Sequence, residues 1–243
     1  YIIVSPNDRH LISLGSNEYS TGTYNPLLVR WSDQNNYNNF TPTISSTSGE
    51  NILADGTEIV GATKSRNSTM IWTDNSVWSM QFVGPPFTFS FAQMGSNCGL
   101  IGPHAAIDYD GISYWMGDDN FYLFDGRVKN LPCTVRRYIF DDFNTTQKDK
   151  VFAGINSEFK EVIWLYPSSD STECDRYVIF NTEEQAWYYG TGIYTTYFDK
   201  IIFDNTMTTG VSVSSFFYNN EPDGIFTANG VAQTSFIESS VFE

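Results

Sequence analysis

Positive charge is scarce in this chain. Its 243 residues hold 13 Lys and Arg against 28 Asp and Glu, a net charge of −15. Affinity for nucleic acid is built by clustered Lys and Arg that neutralise phosphates, so the balance argues against a protein that grips DNA or RNA. Histidine is scarcer still, with His10 and His104 the only two. Cysteine occurs three times, at Cys98, Cys133 and Cys174, with no CxxC spacing. That is too few ligands for a structural zinc site, and buried reduced thiols are the expected state. No run approaches the roughly 20 apolar residues of a membrane-spanning helix, so no membrane span is expected. Phosphate-cradling Gly-rich loops and a Gly-x-Ser-x-Gly elbow are absent as well, which removes the common nucleotide-binding and serine-hydrolase signatures.

What is present points to an all-β globule. Hydrophobic residues make up 41% and aromatics 16%, enough to bury a full core in one domain spanning 1–243. The densest turn-and-strand signal runs over 97–126. Asp110-Gly111 lies between alternating apolar residues, and Asp and Gly tolerate the positive φ that a tight hairpin demands. Strands are therefore expected over 105–109, 112–116 and 121–124, with a fourth over 128–135.

The same alternation marks strands over 1–4, 10–15, 26–33, 57–62, 69–72, 76–83, 87–91, 160–166, 176–181 and 186–190. In the strand over 87–91, Phe87, Phe89 and Phe91 should share one face. Shorter candidates follow at 201–203, 211–218, 223–226 and 231–237. The Ser/Thr-rich stretch 40–51 reads as a connector. One helical window stands out over 141–152, where Asn144 and Gln147 have capping-box spacing.

A period runs through these strands. Aromatic strand centres at Trp72, Trp115, Trp164 and Phe216 are separated by 43, 49 and 52 residues. Units of about 40 to 50 residues, each with three or four strands, are the mark of propeller blades. A β-sandwich has the same strand density, and the period favours a propeller-like array of short antiparallel blades. The chain opens in strand-like Tyr1-Ile2-Ile3-Val4 and closes over 239–243 in strand pattern, which reads as part of a longer chain.

The groups that could carry chemistry have local explanations. Asp118-Asp119 sits in a turn, where Asp bonds its own backbone. Asp141-Asp142 leads into the helical window, where acids suit the positive end of the dipole. Adjacent residues of a strand face opposite ways, so these pairs and Glu183-Glu184 do not read as the converging acids of a glycosidase. Asp108 and Asp110 lack the spacing of a calcium loop. Arg136-Arg137 with Lys148 and Lys150 is the densest positive charge, too small for a DNA site. No catalytic, cofactor-binding or metal-ligating residue is assigned, and a non-enzyme is expected. Trp187-Tyr188-Tyr189, Tyr194 and Tyr197 exceed what a small core needs and suit subunit interfaces or sugar stacking.

The combination Trp72-Thr73-Asp74, Val83-Gly84-Pro85-Pro86-Phe87, Asn97-Cys98-Gly99-Leu100-Ile101-Gly102-Pro103, Tyr114-Trp115-Met116-Gly117 and Leu131-Pro132-Cys133 resembles tail hub or nozzle proteins of short-tailed bacteriophages, the tail tubular or packaged-DNA stabilisation proteins. The likeness covers roughly 49–189. It implies a structural virion protein of the tail, assembled in the host cytoplasm. Such a subunit forms a homo-oligomeric ring, meets other tail or portal proteins, extends the DNA channel, retains the genome and releases it at infection. Contact with the transiting double-stranded DNA would be non-specific. The alternative is a propeller-like module that binds or hydrolyses host surface glycans.

Overall fold

The computed structural model describes residues 1–192 and 194–199 and the strands at 207–210, 217–220, 227–228 and 231–232. About 50% of the described residues are strand and 6% helix. Four antiparallel four-stranded meanders follow one another in sequence. The first blade holds β1 (Ile2–Val4), β2 (Leu11–Asn17), β3 (Tyr24–Trp31) and β4 (Gly49–Ile52). The second holds β5 (Ile59–Lys64), β6 (Thr69–Thr73), β7 (Ser76–Gly84) and β8 (Thr88–Ser96). The third is β9 (Ala106–Tyr109), β10 (Ile112–Met116), β11 (Phe121–Phe124) and β12 (Val128–Leu131), and the fourth β13 (Phe152–Asn156), β14 (Glu161–Tyr166), β15 (Arg176–Asn181) and β16 (Ala186–Thr191). A three-stranded sheet follows, of β17 (Thr196–Phe198), β18 (Met207–Gly210) and β19 (Phe217–Asn220), and then a two-stranded one of β20 (Thr227–Ala228) and β21 (Val231–Ala232).

The first strands of successive blades stand side by side, β5 against β9, β9 against β13 and β13 against β17. The fourth strands are the outer edges. This is the all-β, propeller-like array that the period implies. In a meander of this kind, the first-to-second and third-to-fourth turns share one end. The second-to-third turns and the blade-to-blade connections share the other.

Blades pack face to face because their middle strands are apolar on both faces. All five residues of β6 are buried. Met70 and Trp72 enter a core shared by the second, third and fourth blades, while Ile71 enters one shared with the first. In β14, Val162, Trp164 and Tyr166 face the third blade, and Ile163 and Leu165 join Tyr197 on the far side. A period of two distributed between two neighbours is what a central strand of a stacked sheet requires.

Trp72, Trp115 and Trp164 all lie in second strands and are fully buried. Trp115 Nε1 donates to the Cys98 carbonyl at 2.9 Å, and Trp164 Nε1 donates to the Ala105 carbonyl at 3.0 Å. Each indole thereby ties its blade to backbone upstream in the chain. Trp72 Nε1 is buried without a protein partner. Phe216, the fourth of the series, lies outside the described residues.

Several expectations are corrected. The helical window over 141–152 holds no α-helix: one helical turn, α1 (Arg136–Phe140), ends before it, and inside it lies a 3-10 segment, Thr145–Lys150, broken at Gln147 where φ is −109°. Asn144 does cap it, but its side chain accepts from Thr146 N at 3.0 Å, so no capping box forms. Phe152 starts β13 instead of ending a helix. The connector over 40–51 includes β4, whose Glu50 pairs with Arg30 across the ladder. Phe87 does not share the buried face of Phe89 and Phe91, because it sits in the turn before β8 and is 78% exposed. The strands expected at 201–203 and 223–226, and residues 211–216 and 233–237 of the other two, lie outside the described residues.

Candidate functional site

The segment 97–105 is a seam between blades. Cys98 N donates to Asn75 O, Leu100 N to Thr73 O, Ile101 N to Met116 O and Met116 N to Ala105 O, at 3.0 to 3.2 Å. Tyr122 Oη adds a bond to Asn97 O at 3.3 Å. Gly99 is required by proximity: a Cβ there would lie 2.0 Å from the Asp74 carbonyl oxygen. A Cβ on Gly102 would lie 2.5 Å from Lys148 O. The Asn97-to-Pro103 motif therefore joins the second blade to the third and presents no reactive group.

The carboxylates are occupied structurally. Asp33 accepts from Thr47 Oγ1 and Thr47 N at 2.6 and 2.8 Å. These bonds, the Thr47 hydroxyl first, hold its carboxyl below the usual range. Asp74 accepts from Thr57 Oγ1 and N at 2.6 and 2.7 Å. Desolvation pushes its carboxyl up, and these hydrogen bonds outweigh it and leave a net lowering. Asp119 pairs with Arg136 at 3.1 Å, whose Nε also donates to the Asp119 carbonyl. Asp141 caps the end of α1 instead of the start of a helix, so the expected dipole role does not apply. Asp142 accepts from Ser169 Oγ at 2.8 Å and lies 3.5 Å from Arg176, and its carboxyl is lowered, by Ser169 first. Glu184 accepts from Tyr188 Oη at 2.7 Å.

Asp108 accepts from Gly111 N and Ser113 Oγ, while Asp110 turns to Arg66 at 3.0 Å. Among the described residues no three His, Cys, Asp or Glu side chains gather as a metal site.

His10 is fully buried between Phe82 and Phe89, with ring centroids 5.8 and 5.1 Å away. Its Nδ1 lies 2.7 Å from the Ser32 carbonyl, which can only accept, so Nδ1 carries the proton. Nε2 meets no partner. His104 is exposed, with Tyr1 and Phe152 on either side at 6.3 and 5.9 Å. Burial pushes the thiols of Cys98 and Cys133 up to about 11 and that of Cys174 to about 12, so all three stay protonated at neutral pH.

A cleft of about 310 Å³ opens beside His104, lined by Asp149, Lys150, Phe152, Glu173, Cys174, Thr195 and Thr196, and the Cys174 thiol donates to Lys150 O at 3.2 Å. Its lysine is engaged, because Lys150 Nζ reaches Thr172 O at 2.6 Å and Glu173 Oε1 at 2.5 Å. Of the four clustered cations, Arg136 and Lys150 are thus held by acids.

The aromatics divide. Trp187 packs on Phe121 and Phe180 and donates to Pro132 O at 2.7 Å, and Tyr197 is buried. Tyr189 is half exposed and meets exposed Tyr138 at 4.4 Å between centroids. The Tyr138 partnership was not legible from spacing. The exposed tip between β7 and β8 was missed too, although the scarcity of charge over 67–107 marks it in sequence.

The sequence matches no protein-family model and no curated protein. One solved structure with some likeness is S. cerevisiae Dbp5 bound to Nup159, Gle1, IP6 and ADP, at 7% identity and a TM-score of 0.36, covering 90% of this chain and 72% of that one. A likeness of that size fixes neither fold nor function. No helix among the described residues is long and apolar enough to cross a membrane.

Proposed function

We propose that the chain is a non-enzymatic structural protein of a phage virion, a propeller-bearing subunit of a ring that extends the tail channel, retains the packaged genome and allows its ejection. The observation that carries this is the likeness of the motifs around Trp72, Pro85-Pro86, 97–103 and Trp115 to tail hub proteins of short-tailed phages. Two physical features support it. The motif residues at Gly99, Gly102 and Trp115 act in blade-to-blade packing, as a shared scaffold demands. The net charge of −15 suits a conduit that passes DNA without trapping its phosphates. The ring meets other tail or portal proteins, in the virion tail and in the host cytoplasm during assembly.

Gold-labelled antibody against the chain, applied to purified particles in negative stain, tests the location. Gold confined to the tail axis is expected. Particles free of label would refute the virion reading. Depolymerisation of host polysaccharide by the purified chain would bring forward the glycan-directed alternative.

A further inference from the structure

The charges of the first two blades are sorted by end. The end with the second-to-third turns and the blade-to-blade connections, at 18–23, 53–58, 74–75 and 97–105, carries the acids Glu18, Asp55, Glu58 and Asp74 and no Lys or Arg. The opposite end holds the turns 5–10, 32–48, 65–68 and 85–87. Together with Lys64 at the close of β5, it carries the exposed cations Arg9, Lys64 and Arg66 against two half-buried acids, Asp8 and Asp33. Asp33 is taken up by Thr47, and Arg66 reaches Asp110 of the third blade at 3.0 Å. In a chain of net charge −15, cations outnumber acids at this end of the two blades.

An apolar apex stands on the same end. The pairing of β6 with β7 stops at Met80, whereas β7 and β8 continue pairing to Gly84 and Thr88. The added strand residues carry the hairpin roughly 13 Å past the β6 ladder. At its base Thr88 and Phe89 are buried, with Thr88 Oγ1 donating to Thr47 O at 3.0 Å and Phe89 packing on His10. Beyond them Val83, Pro85, Pro86 and Phe87 are exposed, Phe87 by 78%, and the neighbouring 32–48 loop adds exposed Tyr37 and Ile44.

The fold does not require such an apex. The equivalent turns read Asp125-Gly126-Arg127 in the third blade and Thr182-Glu183-Glu184-Gln185 in the fourth, both charged and exposed. The apex is also too small for a stable protein interface, which takes about 800 Å² from each partner. A fluid bilayer makes no such demand. Apolar side chains enter the boundary of headgroups and acyl chains to a depth of about 5–10 Å, tyrosine is favoured at headgroup level, and surrounding cations are drawn to anionic lipid. Pro85 and Pro86 have no N–H, so the apex brings fewer donors for lipid to leave unpaired.

We infer that this end of the first two blades lies on an anionic lipid surface, with the Val83-to-Phe87 apex inserted at the interface and Arg9, Lys64 and Arg66 over the headgroups. The contact is peripheral and spans nothing. Several copies on one surface strengthen it by avidity. It goes beyond the tail reading and does not depend on it.

Flotation of the full chain with vesicles is the test. Vesicles of equal parts phosphatidylcholine and phosphatidylglycerol should carry the protein upward, and added salt should weaken the binding by screening exposed charges. Phe87→Ser should lower partitioning about tenfold, since burial of one phenylalanine is worth about that factor, with no shift in the unfolding midpoint. Ile44→Ser should act in the same direction, and Phe87→Trp should retain binding. Arg9→Glu with Lys64→Glu should abolish the preference over vesicles of phosphatidylcholine alone. No binding to the anionic vesicles at millimolar lipid would overturn the inference, as would binding that Phe87→Ser leaves unchanged. Self-association that Phe87→Ser abolishes, without vesicle binding, would show the apex to be a protein contact instead. Gold on the tail axis together with failure to bind vesicles would strike this inference alone and leave the tail reading standing.

Discussion

Replacing Trp115 with alanine removes the side chain on which the second and third blades close. Its indole is fully buried, lies 5.5 Å from Trp72 in an edge-on contact, stacks on Tyr122 at 5.5 Å and donates to Cys98 O. Truncating a buried Trp or Phe costs about 3–5 kcal/mol in lost transfer energy and residual cavity. The deleted hydrogen bond adds about 1 kcal/mol within that range. Because the site is walled by rigid strands on both sides, little collapse is available and the upper half of the range is expected. Trp115→Phe keeps a ring but loses the N–H, and should cost about 1–2 kcal/mol. Urea unfolding followed by far-ultraviolet circular dichroism reads both without depending on tryptophan fluorescence. A loss below about 1 kcal/mol for the alanine variant would mean that Trp115 is not a core anchor and that the central meander is wrongly placed.

Three further outcomes are expected. Gly99→Ala should destabilise by about 1–3 kcal/mol or prevent folding, because the new Cβ meets the Asp74 backbone at 2.0 Å, whereas Gly126→Ala, with open space around it, should show only the strain of its positive φ. Asp33 and Asp142 have folded carboxyls below their unfolded range, so their contribution is complete above about pH 4 and is lost as pH falls through the lower folded values. Stability should therefore drop on acidification, and Asp33→Asn should flatten that drop in a series of unfolding curves from pH 6 downward. A chromogenic disulfide reagent at neutral pH should leave Cys98 and Cys174 unmodified until denaturant is added; rapid labelling of either in the native protein would contradict their burial.

The sequence is most legible where local chemistry and tertiary structure agree. Asp110 and Gly111 have φ of 53° and 81°, the two positive values that the Asp-Gly turn anticipates, and Ile112 pairs with Tyr109 across it. Strand β15 falls on the expected 176–181 because its Tyr, Val, Ile and Phe suit a pleated, half-buried surface.

Strand β4, Gly-Glu-Asn-Ile, has no such preference, and its conformation comes from pairing with β3, a contact between residues about twenty positions apart. β13 hides for a related reason. Its Phe-Ala-Gly-Ile-Asn run contains Gly154, which fits beneath Tyr197 of the following sheet. Asp118-Asp119 was legible as a turn, but the ion pairs of Asp110, Asp119 and Asp142 with Arg66, Arg136 and Arg176 were not, because 44, 17 and 34 residues separate the partners. The Tyr138–Tyr189 surface was not, because 51 residues separate its two halves and only the packing of α1 on β16 brings them together.

Cryo-electron microscopy of particles carrying the chain tests the central claim most directly. The account predicts a symmetric ring coaxial with the tail, with successive copies in contact and an axial channel wide enough for double-stranded DNA. Isolated monomers, or copies projecting sideways as spikes without an axial channel, would contradict it.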